Sequence, residues 1–392
     1  MLKARRGRVS VTTAIQPVTH MNIAMLDSRL YESDGCKIRV TQFPQLSFGH
    51  ICLDWHMTHQ LAKREGSLIY FVSPEKTINT GVFELQCRDT KVLKNEELHV
   101  FKDCREIDAG ETTFPYYRRR LLTPPLALSF PGEQVAELQR LCLLAGIQPD
   151  AKLVCLHVRE AGWYQQISHC DAVLDTSCYP TNARVESYRK AVGYLLSEGY
   201  TVVRVGAPSA TRVGGPGVVD LANSAYRSDL LELFCLANSC FLIASESGIR
   251  QAAELFGLPT LTVNAVDALS CFPLGAKDLY ITKHIVDRSN GRRLSLFDLL
   301  GYDYNAAYRD TSRWHYTENT EEEIFAAVAE MVTLVHDVYK ESSQQSSFKK
   351  AVCEAQRALW GLCPYVRKWG IDDGFIGDGY MARSFLEKEW QA

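Results

Sequence analysis

Several things are missing from this 392-residue chain, and each absence narrows what it can be. No run of apolar residues approaches the roughly 18 to 20 that a membrane helix needs. The first residues carry no apolar signal-peptide core, so a cytoplasmic protein is expected, with the inner face of the membrane as its one place of peripheral contact. None of the 13 cysteines stands in a CxxC pair, which leaves zinc-ribbon and dithiol readings without support. Cys155, Cys235, Cys240 and Cys353 lie inside apolar runs and read as reduced, buried thiols. A net charge of −3 supplies no basic footprint for nucleic acid. The one basic cluster, Lys3, Arg5, Arg6 and Arg8, reads as a solvated terminus that could also touch an anionic surface. There is no repeat, no low-complexity stretch, and neither a Walker A pattern nor GxGxxG.

What is present is ordinary in bulk and regular in order. Hydrophobic residues make up 46% and charged residues 23%, and the length suffices for two domains with proper cores. KIRVTQF (37–43) reads as a strand, ICLDWHMTHQLAKRE (51–65) as a helix and SLIYFV (67–72) as a buried strand. Residues 75–130 show only weak alternation, and GEQVAELQRLCLLAGI (132–147) is an amphipathic helix. From KLVCLHV onward, strands and helices alternate through YTVVRVG (200–206), SDLLELFCLAN (228–238), SCFLIAS (239–245), SGIRQAAELFG (247–257) and PTLTVN (259–264). Late helices are expected at 320–340 and 347–362. This pattern predicts an α/β protein of doubly wound parallel sheets. The expected division is an N-terminal extension (1–30), a first α/β domain (31–148), a second (149–340) and a helical tail (341–392).

In such sheets ligands bind outside the carboxyl ends of the strands, which makes those ends the candidate sites. LVCLHVREAGWY (153–164) ends a core strand in His157, Arg159 and Glu160 before Gly162. Strand alternation puts His157 and Arg159 on one face. Arginine offers a planar fork for phosphate, and histidine can carry a proton. An exposed Arg159–Glu160 pair beside a satisfied core histidine is the plainer alternative. A second strand end, Ser245-Glu246-Ser247-Gly248, runs at once into a helix whose unpaired N–H groups could hold an anion, with Glu246 facing sugar hydroxyls. Its plainer reading is an N-cap at Ser247. A third, at Arg204 and Gly206, enters a glycine-rich loop that suits a ligand cover or an ordinary surface loop equally. In the first half, Gly49 and His50 mark a strand-to-helix passage, with Asp54 one turn on. His56-x-x-His59 lacks a third ligand, so no metal is expected.

Taken in order, FGHICLDWH, LVCLHVREAGWY, RVESYRKAVGYLLSEGYTVVRVG and VVDLANSAYRSDLLELFCLANSCFLIASESG resemble a family of bacterial glycosyltransferases of surface-polysaccharide loci. The resemblance covers roughly residues 36–265 and is best over 152–264. The His-x-Arg strand end is also similar to the phosphate-contacting motif of fucosyltransferases, although Arg159-Glu160 stands where that group often has paired arginines. The resemblance implies a GT-B arrangement: two Rossmann-like domains face across a cleft, and final helices cross back to the first. It further implies a nucleotide-sugar donor on the second domain and a glycan, lipid-linked or small-molecule acceptor on the first, around Gly49 and His50. No metal is obligatory and no cofactor is called for. The donor diphosphate would lie on Ser245–Gly248 and Arg159, near Arg204 and Gly206. Candidate bases are Glu160, His157, His50 and Asp54. A nucleotide-sugar epimerase or hydrolase, or a non-catalytic sugar-nucleotide-binding protein, are the alternatives.

Overall fold

The structure is a computed structural model that describes residues 28–42, 48–73, 79–88, 90–107, 128–160, 179–209, 211–269, 271–359 and 377–390. The described residues begin with a hairpin, β1 (Ser28–Ser33) and β2 (Cys36–Gln42). Asp34 and Gly35 close it with φ of 51° and 73°. Two positive φ values are what a two-residue type I′ turn needs to match the strand twist. Helix α1 (Phe48–Glu65), β3 (Leu68–Val72), α2 (Thr80–Cys87), β4 (Lys91–Leu93) and β5 (Arg105–Ile107) complete the first layer. Its strand order is β4-β3-β2-β1-β5. Strands β2, β3 and β4 run parallel as expected, but β1 is antiparallel to both neighbours. The first sheet is therefore mixed rather than doubly wound, because the tight turn returns the chain at once. It also draws residues from Ser28 onward into the fold, inside the expected extension.

The second layer begins with α3 (Gly132–Leu144) and β6 (Lys152–His157). It continues through α4 (Arg189–Ser197), β7 (Tyr200–Arg204), β8 (Val218–Asp220), α5 (Asp229–Ala237), β9 (Ser239–Ser245), α6 (Ile249–Leu255) and β10 (Thr260–Ala265). Next come β11 (Leu279–Thr282), the β12–β13 ribbon (His284–Asp287, Trp314–Thr317), and between its strands the short α7 (Leu296–Leu300) and α8 (Tyr302–Ala306). After them come α9 (Glu321–His336), α10 (Ser343–Leu359), β14 (Tyr380–Met381) and α11 (Arg383–Glu389). Seven strands form one sheet in the order β14-β11-β10-β9-β6-β7-β8, every neighbouring pair parallel.

A parallel sheet covered on both faces needs apolar residues on both, and β6 supplies them in alternation. Val154 and Leu156 enter the core under α4, α9 and α10, whereas Leu153 and Cys155 enter the core under α3, α5 and α6. Local signals place the helices. Ser228 Oγ accepts the Leu231 N–H ahead of α5, and Thr320 with Glu323 forms a capping box on α9. The C-terminal region was expected on the first domain, but its described parts (341–359 and 377–390) pack on the second. Strand β14 extends the large sheet beside β11, and Phe348, Val352, Phe385 and Trp390 are buried in its core. The apolar stripe of α10, Phe348, Val352 and Leu359, is buried there. No helix among the described residues is long and apolar enough to cross a membrane.

The two layers meet helix to helix. Ile51, Cys52 and Val82 from α1 and α2 share a core with Leu231, Ile249 and Ala253 from α5 and α6. The approach is closest at two glycines: a Cβ on Gly248 would stand 2.5 Å from the Gly49 nitrogen. Gly248→Ala is therefore expected to cost about 1 to 3 kcal/mol through overpacking. In urea unfolding its midpoint should fall. Gly193→Ala, inside α4 with nothing within 4 Å of the added carbon, should hold or gain up to about 1 kcal/mol. Equal midpoints for the two variants would contradict the Gly49–Gly248 contact.

Candidate functional site

In the large sheet the chain leaves β6 toward β7 and β8 but leaves β9 toward β10 and β11. Strands β6 and β9 are hydrogen-bonded neighbours, paired as far as His157 and Ala244. The winding thus reverses between them, and their two following loops diverge from the same edge. Such a switch point leaves a crevice outside the carboxyl ends of the strands, the recurrent ligand position of open α/β sheets. The two strand ends singled out in the sequence, His157–Glu160 and Ser245–Gly248, flank this crevice. They are tied together: the Arg159 N–H donates to Ser245 Oγ at 2.8 Å, and the Ala183 N–H donates to the Arg159 carbonyl at 2.8 Å.

Around this edge the structure assembles cations on an aromatic ring. The Arg159 guanidinium carbon lies 4.8 Å from the centre of the Tyr179 ring, and that of Arg309 lies 5.5 Å from it. Arg309 also donates to the Tyr179 hydroxyl at 3.2 Å and to Glu246 at 2.5 Å. Lys283, just beyond β11, is buried and donates to the Asn182 carbonyl at 2.5 Å. Burial lowers its ammonium to about 8, against the pull of Glu318 and Glu246. Tyr179, Arg309 and Lys283 escaped the sequence reading. Lys283 follows the buried run LYIT, the same strand-to-charge signature as at His157, and could have been found. Arg309 comes from a distant loop with φ of 68°, and nothing local marks it.

Several expected contacts are already committed to the protein itself. The Arg204 guanidinium, 2% exposed, pairs with Glu160, donates to the Thr211 carbonyl and lies 3.6 Å from Asp220. It is an internal cation, and Glu160 is its counter-ion. The Glu246 carboxylate, 7% exposed, accepts from Arg309 and from the Val266 N–H at 2.8 Å. Burial pushes Glu246 upward, but Arg309 and the Val266 amide outweigh it and hold the carboxyl below its usual range. Ser245 is fully buried, and Gly248 caps α6 against Gly49, so this helix start faces polypeptide. Ser247 makes no capping bond, and its hydroxyl has no hydrogen-bond partner among the described residues. His157 and Arg159 do not share a face, because β6 ends at His157: the histidine turns to Gly206 and the arginine to Tyr179. Gly49 belongs to the contact between layers. The side chains of His50 and Asp54, and all of Gly162, lie outside the described residues. His56 and His59 are in the packed interior of the first layer, where burial lowers both to about 4.

His157 closes β6 with its ring turned toward β7. Its Nδ1 lies 3.3 Å from the Val205 carbonyl, so Nδ1 carries the proton and Nε2 the lone pair. Burial lowers it to about 4; the Val205 bond opposes this, and Arg159 and Arg204 add to it. The ring is therefore neutral near pH 7. Gly206, with φ of 117°, packs so close that a Cβ would stand 2.6 Å from Nδ1. Beneath it the buried Glu232 accepts from the Gly206 N–H at 3.0 Å and from Arg227 Nε at 3.1 Å. Burial pushes Glu232 up to about 7 against both partners.

Neither a family model nor a curated protein matches the chain. Among solved structures, it is similar to the ADP-heptose lipopolysaccharide heptosyltransferase II of E. coli, at 12% identity and a TM-score of 0.34, over 57% of this chain and 83% of that one. It is also similar to TibC of enterotoxigenic E. coli H10407, described as a bacterial iron-containing dodecameric glycosyltransferase (13%, TM-score 0.36, 76% of each chain). A glycosyl transferase family 9 protein of Veillonella parvula matches at 13% and 0.32, over 57% of this chain and 79% of that one. Likeness this distant carries no argument about chemistry.

Two expectations follow from the buried charges. Glu160→Ala leaves Arg204 short of its nearest counter-ion and should cost about 3 kcal/mol in chemical unfolding; an unchanged midpoint would show the pair to be dispensable. For Glu232, the raised pKa means the folded state holds a proton that the unfolded chain releases. Its stabilisation is present at low pH and is lost as pH rises from about 4.5 to about 7. Relative to Glu232→Gln, the wild type should lose stability across that window and run parallel to the variant above it.

Proposed function

We propose that this chain is a glycosyltransferase that takes a sugar from a nucleotide-sugar donor, with the donor diphosphate at the β6–β9 switch point. The observation that carries the reading is the reversal of winding there, with Arg159 beside it among Tyr179, Arg309 and Lys283. Glycosyl transfer leaves a nucleoside diphosphate with growing negative charge, and a preorganised arginine fork stabilises that charge without reorganising at the moment of reaction. Arg159 is the donor contact in this proposal, Lys283 is a further cation, and Arg309, paired with Glu246, holds the Tyr179 ring beneath Arg159. The Ser245–Gly248 helix start is not used, because Gly49 packs directly against Gly248 and the Arg159 N–H already engages Ser245. The ordered motifs that resemble bacterial glycosyltransferases of surface-polysaccharide loci support the same class. In this reading the acceptor, a glycan, lipid-linked or small molecule, approaches from the first layer, and no metal takes part.

One observation favours a second reading, a sugar-nucleotide-binding protein without transfer. Of the four candidate bases, His157 is held neutral with a pKa lowered to about 4, and Glu160 is bound to Arg204. Calorimetric titration with ADP, GDP, UDP and CDP is expected to show binding of one nucleotide, weakened about 10- to 100-fold by Arg159→Ala, as loss of a charge-assisted contact predicts. Binding of none of the four overturns both readings. Binding without consumption of the matching nucleotide-sugar in the presence of acceptors favours the second.

A further inference from the structure

We infer that Glu232 is a positioning residue for His157 and acts on it through a single peptide group. That group is the Val205–Gly206 amide at the carboxyl end of β7. Its carbonyl accepts from His157 Nδ1 at 3.3 Å, and its N–H donates to Glu232 Oε1 at 3.0 Å. Imidazole, peptide and carboxylate thus form one line of two hydrogen bonds. Such chains polarise cooperatively: an anion accepting from the N–H makes the carbonyl at the other end a stronger acceptor. A stronger acceptor draws the Nδ1 proton and raises electron density on Nε2. In the familiar pairing of histidine with a carboxylate the contact is direct; here one peptide group is interposed.

The geometry around the line holds it in register. Arg227 Nε donates both to Glu232 Oε1 at 3.1 Å and to the Gly206 carbonyl at 2.9 Å. Gly206 sits at φ 117°, and its missing side chain leaves the room that the imidazole fills. A residue with Cβ would displace the ring and break the line. Arg227 is 4.0 Å from Asp229, whose carboxylate accepts the Thr80 N–H at the start of α2, so the anchoring reaches the first layer. Glu232 is faced by Arg227, Asp229, Cys155 and Cys235, and His157 by Arg159 and Arg204. None of the other groups in that set bonds the Val205–Gly206 amide, so the carboxylate state of Glu232 is what the peptide transmits. The proposed transfer reaction matters here only for what His157 then does. What Glu232 sets through the peptide is the tautomer and polarisation of the ring.

The test uses the full chain with isotope-labelled histidine, without nucleotide, and reads the ring nitrogens of His157 by NMR from pH 5.5 to 8.5. His157→Gln identifies the signal by its loss. The expected result is a neutral ring protonated on Nδ1, whose nitrogen shifts move in one step across the ionisation of Glu232. Glu232→Gln should abolish the step while the neutral Nδ1–H form persists. Arg227→Met, which removes the cation beside the carboxylate, should move the step to higher pH. A ring protonated on Nε2, shifts that stay flat with pH in the wild type, or a step that survives Glu232→Gln would each overturn the inference. Nucleotide binding is not measured, so failure here is distinct from failure of the proposed function.

Discussion

Because β6 hydrogen-bonds to β9 while the chain departs from them in opposite directions, the loops after these strands must separate, and the sheet edge between them is left open. Much of the rest follows from that constraint. Helices α4, α9 and α10 cover one face, and α3, α5 and α6 cover the opposite face. Strand β6 must therefore be apolar on both sides, as Leu153 to Leu156 are. The charged residues that terminate β6 and β9 can only lie at the opening. The first layer then docks against α5 and α6, close enough that Gly49 and Gly248 admit no side chain.

The charges at that opening are for the most part balanced internally. Arg204 answers Glu160, and Arg309 answers Glu246. Pairs held this far from water add little net stability over apolar packing, yet breaking one exposes the full desolvation cost of its partner. They act here as a rigid frame around fewer adaptable groups: Arg159 on Tyr179, Lys283 at the end of β11, and a neutral His157 whose proton position is set from β7. An edge stiffened by internal pairs keeps its geometry without reorganising, the condition under which fixed dipoles and charges act best on a neighbouring charge.

How much of this was legible from residues alone differs between the two layers. In the second, near-continuous apolar strands and capped helices are local signals, so KLVCLHV, SCFLIAS and the helix behind Ser228 stand where periodicity puts them. In the first, the Asp34-Gly35 turn was readable as a hairpin and was missed, and with it the antiparallel β1. The two strand ends of the candidate site were found because charge after a buried run is visible in one dimension. Their orientation was not, since alternation stops where β6 stops, at His157.

By itself, the sequence determined which segments become strands and helices and which of them end in polar residues at one edge, because hydrophobic period and capping act over a few residues. Only the tertiary structure decided which of those polar residues remain for a ligand. Arg204 and Glu160 are 44 positions apart, Arg309 and Glu246 are 63 apart, and Glu232 meets Gly206 from 26 away. Ion pairing and desolvation depend on distance in space, and no local pattern carries that distance.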